Sequence, residues 1–313
     1  MSTLPVALTA PRDLVTGSEF SSAQIRELFH LAASVKARPE RYRSALAGRF
    51  LALIFEKPSL RTRVTFEVGM ASLGGAAVFL DHQGSRLGMR ESVPDVARNL
   101  ERWVHGIVAR TFSQSTIEEL AAHAAIPVIN ALSDRFHPCQ ALADFFTLEE
   151  HFRNLKDLTL AYVGDGNNVC HSLLLTAARL GAHLRIATPK GYEPDAAVVA
   201  EARRAARDSR AKIELLHDPA EAVAGAQAVY TDVWASMGQE AEAATREKIF
   251  APYQVNEALF ALAAPDAVFL HCLPAHRGSE VTAGVIDSPR SLVYQQAENR
   301  LHVQKAILLA LLS

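Results

Sequence analysis

Short apolar runs alternate with longer amphipathic stretches along most of the chain. Over 21–36 the apolar residues Ile25, Leu28, Phe29 and Ala32 recur at helical spacing, and Ser21 or Ser22 is placed to cap the start. This predicts a helix with one buried face. The runs at 50–55, 76–80, 106–109 and 127–129 read as buried strands with helical patterns between them. After an amphipathic helix over 139–152 the rhythm resumes, with strand-like runs at 158–163, 183–187, 213–216, 228–231 and 267–271. Such alternation predicts an α/β fold of two domains, each a mainly parallel sheet flanked by helices. The expected division is 1–137 and 138–297. A last helix over 298–313 carries Leu301, Ile307, Leu308 and Leu311 on one pattern and is expected to pack back toward the first domain. There is no repeat of fixed period and no low-complexity tract.

The length of 313 residues agrees with two domains, since single cores stop growing at roughly 250–300 residues. A formal charge of -2 and the lack of any Lys/Arg tract argue against nucleic acid as a partner. No apolar run approaches the length of a membrane span, and residues 1–20 mix Pro, Arg, Asp and Glu, so a cytoplasmic protein with no membrane contact is expected. Cys139, Cys170 and Cys272 are widely spaced and form no CxxC pair, which argues against a disulfide framework. Nothing in the spacing of His and Cys calls for a metal, and no cofactor is required.

In open parallel sheets ligands bind beyond the carboxyl ends of the strands, so the residues directly after the strand-like runs are the candidates for chemistry. The first such segment, Phe55 to Arg63, opens a helix whose start holds Ser59, Arg61 and Thr62. Free N–H groups at a helix start, hydroxyls and a guanidinium together suit a phosphate, although a capped helix with a solvated Arg has the same sequence. The second is Asp134-Arg135-Phe136-His137-Pro138-Cys139-Gln140, with Pro138 placed to begin a helix. There His137 can polarise a carbonyl oxygen and Gln140 can orient an amide, while a lone His in that position is more often structural. The third is His271-Cys272-Leu273-Pro274, where Pro274 breaks the strand and leaves carbonyls available to an amide NH2. Cys272 reads either as a buried thiol or as a reactive one at a strand end.

Ser59-Leu60-Arg61-Thr62, His137-Pro138-Cys139-Gln140 and His271-Cys272-Leu273-Pro274 resemble, in order, the three signature motifs of the aspartate/ornithine carbamoyltransferase family. The similarity extends over nearly the whole chain, to Glu298-Asn299-Arg300. Asp232 to Glu240 is similar to the loop that closes over the amino-acid end of ornithine in the ornithine-using members. The turn Gly164-Asp165-Gly166-Asn167-Asn168 resembles the one whose second Asn holds the ornithine carboxylate. A dinucleotide fingerprint is a poorer match there, because Val169 stands where a third Gly is needed.

The resemblance implies carbamoyl transfer from carbamoyl phosphate to the δ-amine of ornithine, giving citrulline and phosphate, in a cleft between the domains. The 1–137 domain would bind carbamoyl phosphate and the 138–297 domain ornithine. It assigns Ser59, Leu60, Arg61, Thr62, Arg110, His137, Gln140, Cys272, Leu273 and Arg300 to carbamoyl phosphate, with Arg110, His137, Cys272 and Asp232 catalytic. Asn168, Asp232, Ser236 and Met237 are assigned to ornithine, Asn167 being the alternative to Asn168. It also implies a homotrimer or a multiple of trimers, in which the 85–92 segment reaches a neighbouring subunit's site through Arg86 or Arg90. Another amine acceptor, such as acetylornithine, putrescine or aspartate, is the nearest alternative.

Overall fold

The computed structural model describes residues 10–81, 86–235 and 242–313. The chain divides into two compact units, one comprising 1–143 and 298–313 and the other 144–297. Both divisions fall inside helices.

In the first unit the strands are β1 (Phe50–Phe55), β2 (Ala76–Asp81), β3 (Gly106–Arg110) and β4 (Val128–Leu132). The helices are α1 (Ser22–Ala37), α2 (Leu60–Ser72), α3 (Val93–Leu100), α4 (Gln114–His123) and the start of α5 (Pro138–Phe152). The strands pair in the order β2-β1-β3-β4, all parallel. Leu14 bridges Ile129 and extends the sheet beyond β4. A capping box holds the start of α1: Gln24 N–H donates to the Ser21 hydroxyl, and the Gln24 side chain accepts from Ser21 N–H. The apolar stripe read in the sequence is the buried one, Ile25, Leu28, Phe29 and Ala32. Ile54, Ile107, Ala109 and Val128 from the strands pack against Ala97, Ile117 and Leu120 from α3 and α4.

One strand departs from the sequence reading. The run at 76–80 was expected to be buried, but β2 is an edge strand with much of its surface open, and Val78 is 47% exposed.

The second unit contains β5 (Thr159–Val163), β6 (His183–Ala187), β7 (Ile213–Leu216), β8 (Ala228–Thr231) and β9 (Val268–Leu270). Its helices are α6 (Asn168–Leu180), α7 (Ala196–Ser209), α8 (Pro219–Val223), α9 (Ala243–Phe250), α10 (Glu257–Phe260), α11 (Ala283–Ile286) and the first turn of α12 (Val293–Leu312). The order is β7-β6-β5-β8-β9, again all parallel. Ala161, Val163, Val229 and Phe269 pack with Val255, Phe260, Val281 and Val285 in its core. α12 begins five residues before the expected 298. Its added turn carries Gln295 and Gln296, whose polarity hides the helical pattern in the sequence. No helix among the described residues is long and apolar enough to cross a membrane.

Each sheet has one switch point, where successive connections leave in opposite directions. In the first unit it lies between β1 and β3, in the second between β5 and β8. Residues at the carboxyl ends of those strands line the crevice that a ligand enters. They are Glu56 to Thr62 and Arg110 in one unit, and Gly164 to Asn168 and Asp232 in the other.

Candidate active site

At the switch point of the first unit, Ser59 is the N-cap of α2 and its hydroxyl accepts from Thr62 N–H at 3.3 Å. The first turn that follows supplies the N–H groups of Leu60 and Arg61, which a helix start leaves without helical carbonyls. Leu60 turns its side chain outward, 75% exposed, so only its backbone faces the helix end. Thr62 is buried, and its hydroxyl accepts from Arg300 Nη2 at 2.7 Å. Arg110 ends β3 and is buried, its carbonyl accepting from Glu56 N–H.

His137 directly precedes α5, and both His137 and Gln140 are buried. Burial, and after it the charges of Arg300, Arg110 and Arg61, holds the His137 imidazole well below its ordinary range. The ring is therefore neutral at neutral pH and can donate one hydrogen bond without adding charge. The same shift registers that three of the expected phosphate-site arginines surround it. Cys139, the second residue of α5, has a different character. Its thiol donates to the Asn130 carbonyl at 3.4 Å and burial pushes it up to about 12, so it is a packed, unreactive thiol.

Two buried residues here escaped the sequence reading. The Glu56 carboxylate accepts from Leu87 N–H at 2.6 Å and from Phe112 N–H at 2.7 Å, bracing the backbone beside Arg86 and Arg110. Lys57 lies 4.7 Å from the centroid of the Phe112 ring, with Arg86 at 5.0 Å from the same ring. Burial, followed by the charge of Arg110, lowers the Lys57 ammonium. Both residues directly follow β1, so the strand-end rule that singled out Ser59 could have found them.

At the switch point of the second unit, Asn167 caps α6. Its Oδ1 accepts from Val169 N–H, Cys170 N–H and the Tyr162 hydroxyl, while Nδ2 donates to Asp232 at 2.8 Å. That side chain caps the helix and ties it to Asp232. Asn168, the first residue of α6, lies beside it and is half-buried. Gly166 is required by a close approach, because a Cβ there would overlap the backbone of Glu193 and Pro194. Asp165 forms a buried ion pair with Arg246, whose Nε also donates to the Trp234 carbonyl at 2.6 Å.

Asp232 follows β8 and accepts from the Cys272 thiol at 3.0 Å. Cys272 is half-buried, and its thiol is hydrogen-bonded to a buried carboxylate. Leu273 adopts a left-handed backbone, φ 57°, at a cost of about 1–2 kcal/mol for a residue with a Cβ. Its N–H donates to His271 Nδ1 at 2.8 Å. Asp232, His271 and Cys272 place donor atoms within 4.8 Å of one another. The Nδ1 lone pair is already occupied by the Leu273 N–H, so this grouping is a hydrogen-bonded bracket and not an open cage for a cation. The expected Ser236 and Met237 lie outside the described residues, as does Ser85. Arg86 packs on Phe112 and Arg90 is exposed.

Residues 12–150 match the family model described as the carbamoyl-P binding domain of aspartate/ornithine carbamoyltransferase, and residues 156–311 match that of the Asp/Orn binding domain. The chain is 55% identical over 304 residues to an ornithine carbamoyltransferase of Anoxybacillus flavithermus, with 96% of each chain covered. It is 54% identical over 307 residues to that of Thermus thermophilus, with 98% of each covered. The solved ornithine carbamoyltransferase of Pyrococcus furiosus superposes with a TM-score of 0.93 at 51% identity, covering 97% of both chains. On the motifs, the two parallel sheets and these matches, the chain belongs to the aspartate/ornithine carbamoyltransferase family.

Proposed function

We propose that the protein transfers the carbamoyl group of carbamoyl phosphate to the δ-amine of L-ornithine, giving L-citrulline and phosphate through a tetrahedral intermediate. The observation that carries this reading is the buried, neutral His137 among Arg61, Arg110 and Arg300. Such a site binds a dianion and offers a hydrogen-bond donor to the carbonyl oxygen beside it.

Ser59, Arg61, Thr62, Arg110, Arg300 and the N–H groups at the start of α2 are assigned to the phosphate. Charge-assisted bonds from guanidinium groups and a helix start are the strong contacts for such an anion. His137, Arg110 and Thr62 stabilise the oxyanion as the carbonyl becomes tetrahedral, and each is buried where such bonds are worth most. Gln140 and the Leu273 carbonyl orient the carbamoyl NH2. Asn168 and Asp232 hold the α-carboxylate and α-amino groups of ornithine, with Ser236 and Met237 assigned to the same end.

The δ-amine resembles a lysine amine, with a pKa of roughly 10.4, so the attacking neutral form is scarce at neutral pH. Positive charge around bound carbamoyl phosphate favours loss of its proton. Cys272 and Asp232, already hydrogen-bonded to one another, are the groups assigned to guide that amine and its proton.

A homotrimer, alone or multiplied, is proposed with this function. It is supported by the apolar surface that Leu60 and Val64 of α2, both exposed, share with Phe79 of the edge strand β2. Arg86, or Arg90 in its place, would lend a cation to the neighbouring site. Three free thiols support a reducing, cytoplasmic setting. The test is calorimetric titration with a bisubstrate analogue joining a phosphonate to ornithine. Binding is expected, whereas binding of a dinucleotide instead would revive a dehydrogenase on the same α/β architecture.

A further inference from the structure

In the second unit one buried ionisable pair is unused by the chemistry above, and its geometry points to a positioning role: Glu280 orients the His271 ring, and the ring fixes the backbone of Leu273 and hence the Cys272 thiol beside Asp232. This rests on the function proposed above.

His271 is fully buried and Glu280 is 1% exposed. The Leu273 N–H donates to His271 Nδ1 at 2.8 Å, which makes Nδ1 an acceptor and puts the ring proton on Nε2. That proton faces Glu280 Oε1 at 3.2 Å. The same Oε1 accepts from His276 N–H at 2.6 Å, so the carboxylate is itself held. The His271 backbone is fixed separately: its N–H donates to Gln296 Oε1 at 3.0 Å, and Gln296 Nε2 donates to Asp144 at 2.6 Å. Cys272 thus lies between two residues whose N–H groups are both tied down, and its thiol meets Asp232 at 3.0 Å.

The bracket acts where the local backbone would not rest unaided. Leu273 has φ 57°, which a leucine leaves unless its surroundings hold it. A ring free to turn about its χ2 would release the Leu273 N–H, and the Nε2–H bond to Glu280 opposes that turn. The carbonyl assigned to the carbamoyl NH2 belongs to this same residue. A displacement of about 1 Å at a reacting group costs on the order of 100-fold in rate. Nothing in the sequence marks Glu280, which lies in an irregular stretch with no pattern around it.

The test uses the full-length enzyme with Glu280→Gln, which keeps the reach to His271 and loses the charge, and Glu280→Asp, which keeps the charge and loses the reach. Steady-state kcat, KM for both substrates and Tm are measured for each. Positioning predicts that Glu280→Gln stays within about fivefold of the parent kcat while Glu280→Asp falls by about 100-fold. The KM for carbamoyl phosphate should change by less than about threefold, because its phosphate contacts lie in the first unit. A merely structural pair would lower Tm and leave kcat of the folded enzyme unchanged. Parent-like kcat in Glu280→Asp, or a Glu280→Gln as slow as Glu280→Asp, overturns the inference. If either variant does not fold, His271→Asn decides: its side-chain oxygen can accept from Leu273 but does not reach Glu280. Loss of kcat there supports the inference and parent-like kcat overturns it. Failure of the parent enzyme to form citrulline would instead overturn the function, so the two failures are told apart.

Discussion

Arg300 donates from Nη2 to the hydroxyl of Thr62 at 2.7 Å, and both side chains are buried. A hydroxyl that accepts from a guanidinium keeps its own proton to donate, so the bond turns Thr62 into an oriented donor for an anion or oxyanion at the start of α2. It also ties the last helix of the chain to the turn that carries Ser59 and Arg61.

Replacing Thr62 with Val keeps the shape and removes the hydroxyl, leaving Arg300 without this partner. The expected result is a loss of about 100-fold in kcat/KM for carbamoyl phosphate, with Thr62→Ser retaining most of the activity. Steady-state kinetics at varied carbamoyl phosphate checks this, and equal rates for the Val and Ser variants would contradict it.

His137 titrates well below its ordinary value in the folded protein, because of burial and then of its arginine neighbours. As pH falls below the unfolded value of about 6.5, the unfolded chain takes up a proton that the native ring refuses. The stability associated with this group is therefore full above about pH 6.5 and is lost as pH falls toward the lowered folded value. Urea unfolding at pH 7.5 and 5.5 should show the parent losing about 1 kcal/mol more than His137→Asn over that interval. Equal losses would show that His137 is not held neutral.

The two adjacent asparagines should separate stability from binding. Asn167→Ala removes the α6 cap and the bond to Asp232, and is expected to destabilise by about 1–2 kcal/mol. Asn168→Ala should leave Tm nearly unchanged and raise the KM for ornithine by about tenfold or more. Thermal unfolding and ornithine kinetics on both variants check the division, which an unchanged ornithine KM in Asn168→Ala would undo.

Val64→Glu puts a charge on the exposed face of α2, next to the edge strand, and should shift the proposed trimer toward monomers with little change in Tm of the isolated chain. Sedimentation velocity reads this directly, with an unaltered sedimentation coefficient as the contrary result.

The sequence reveals features that are local or repeat with a period. The strand-like runs of both sheets, the caps at Ser21 and Ser59 and the helix start at Pro138 follow from patterning and from side chains acting on their own neighbours. The Ser59 segment falls at a switch point, whereas the His137 and His271 segments follow β4 and β9, the outer strands of their sheets; all three lie at carboxyl ends because parallel strands deliver their ends to one side. Residues acting over long separations were not legible. Glu56 reaches Leu87 and Phe112, Gln296 reaches His271 and Asp144, and Arg246 reaches Asp165, each as a lone polar residue without a pattern. Burial of β2 was overread because a Val- and Phe-rich edge strand looks like a central one until its neighbours are known. The left-handed Leu273 could not be anticipated, since that conformation is ordinarily a glycine's.

The most direct test of the central claim is a side-by-side assay of the purified protein with carbamoyl phosphate and, in turn, ornithine, acetylornithine, putrescine and aspartate. Phosphate release and the carbamoylated product are both measured. The expected result is citrulline formed with stoichiometric phosphate, with kcat/KM for ornithine exceeding that for every other amine by at least about 100-fold. No citrulline, or faster carbamoylation of any other acceptor, would contradict it.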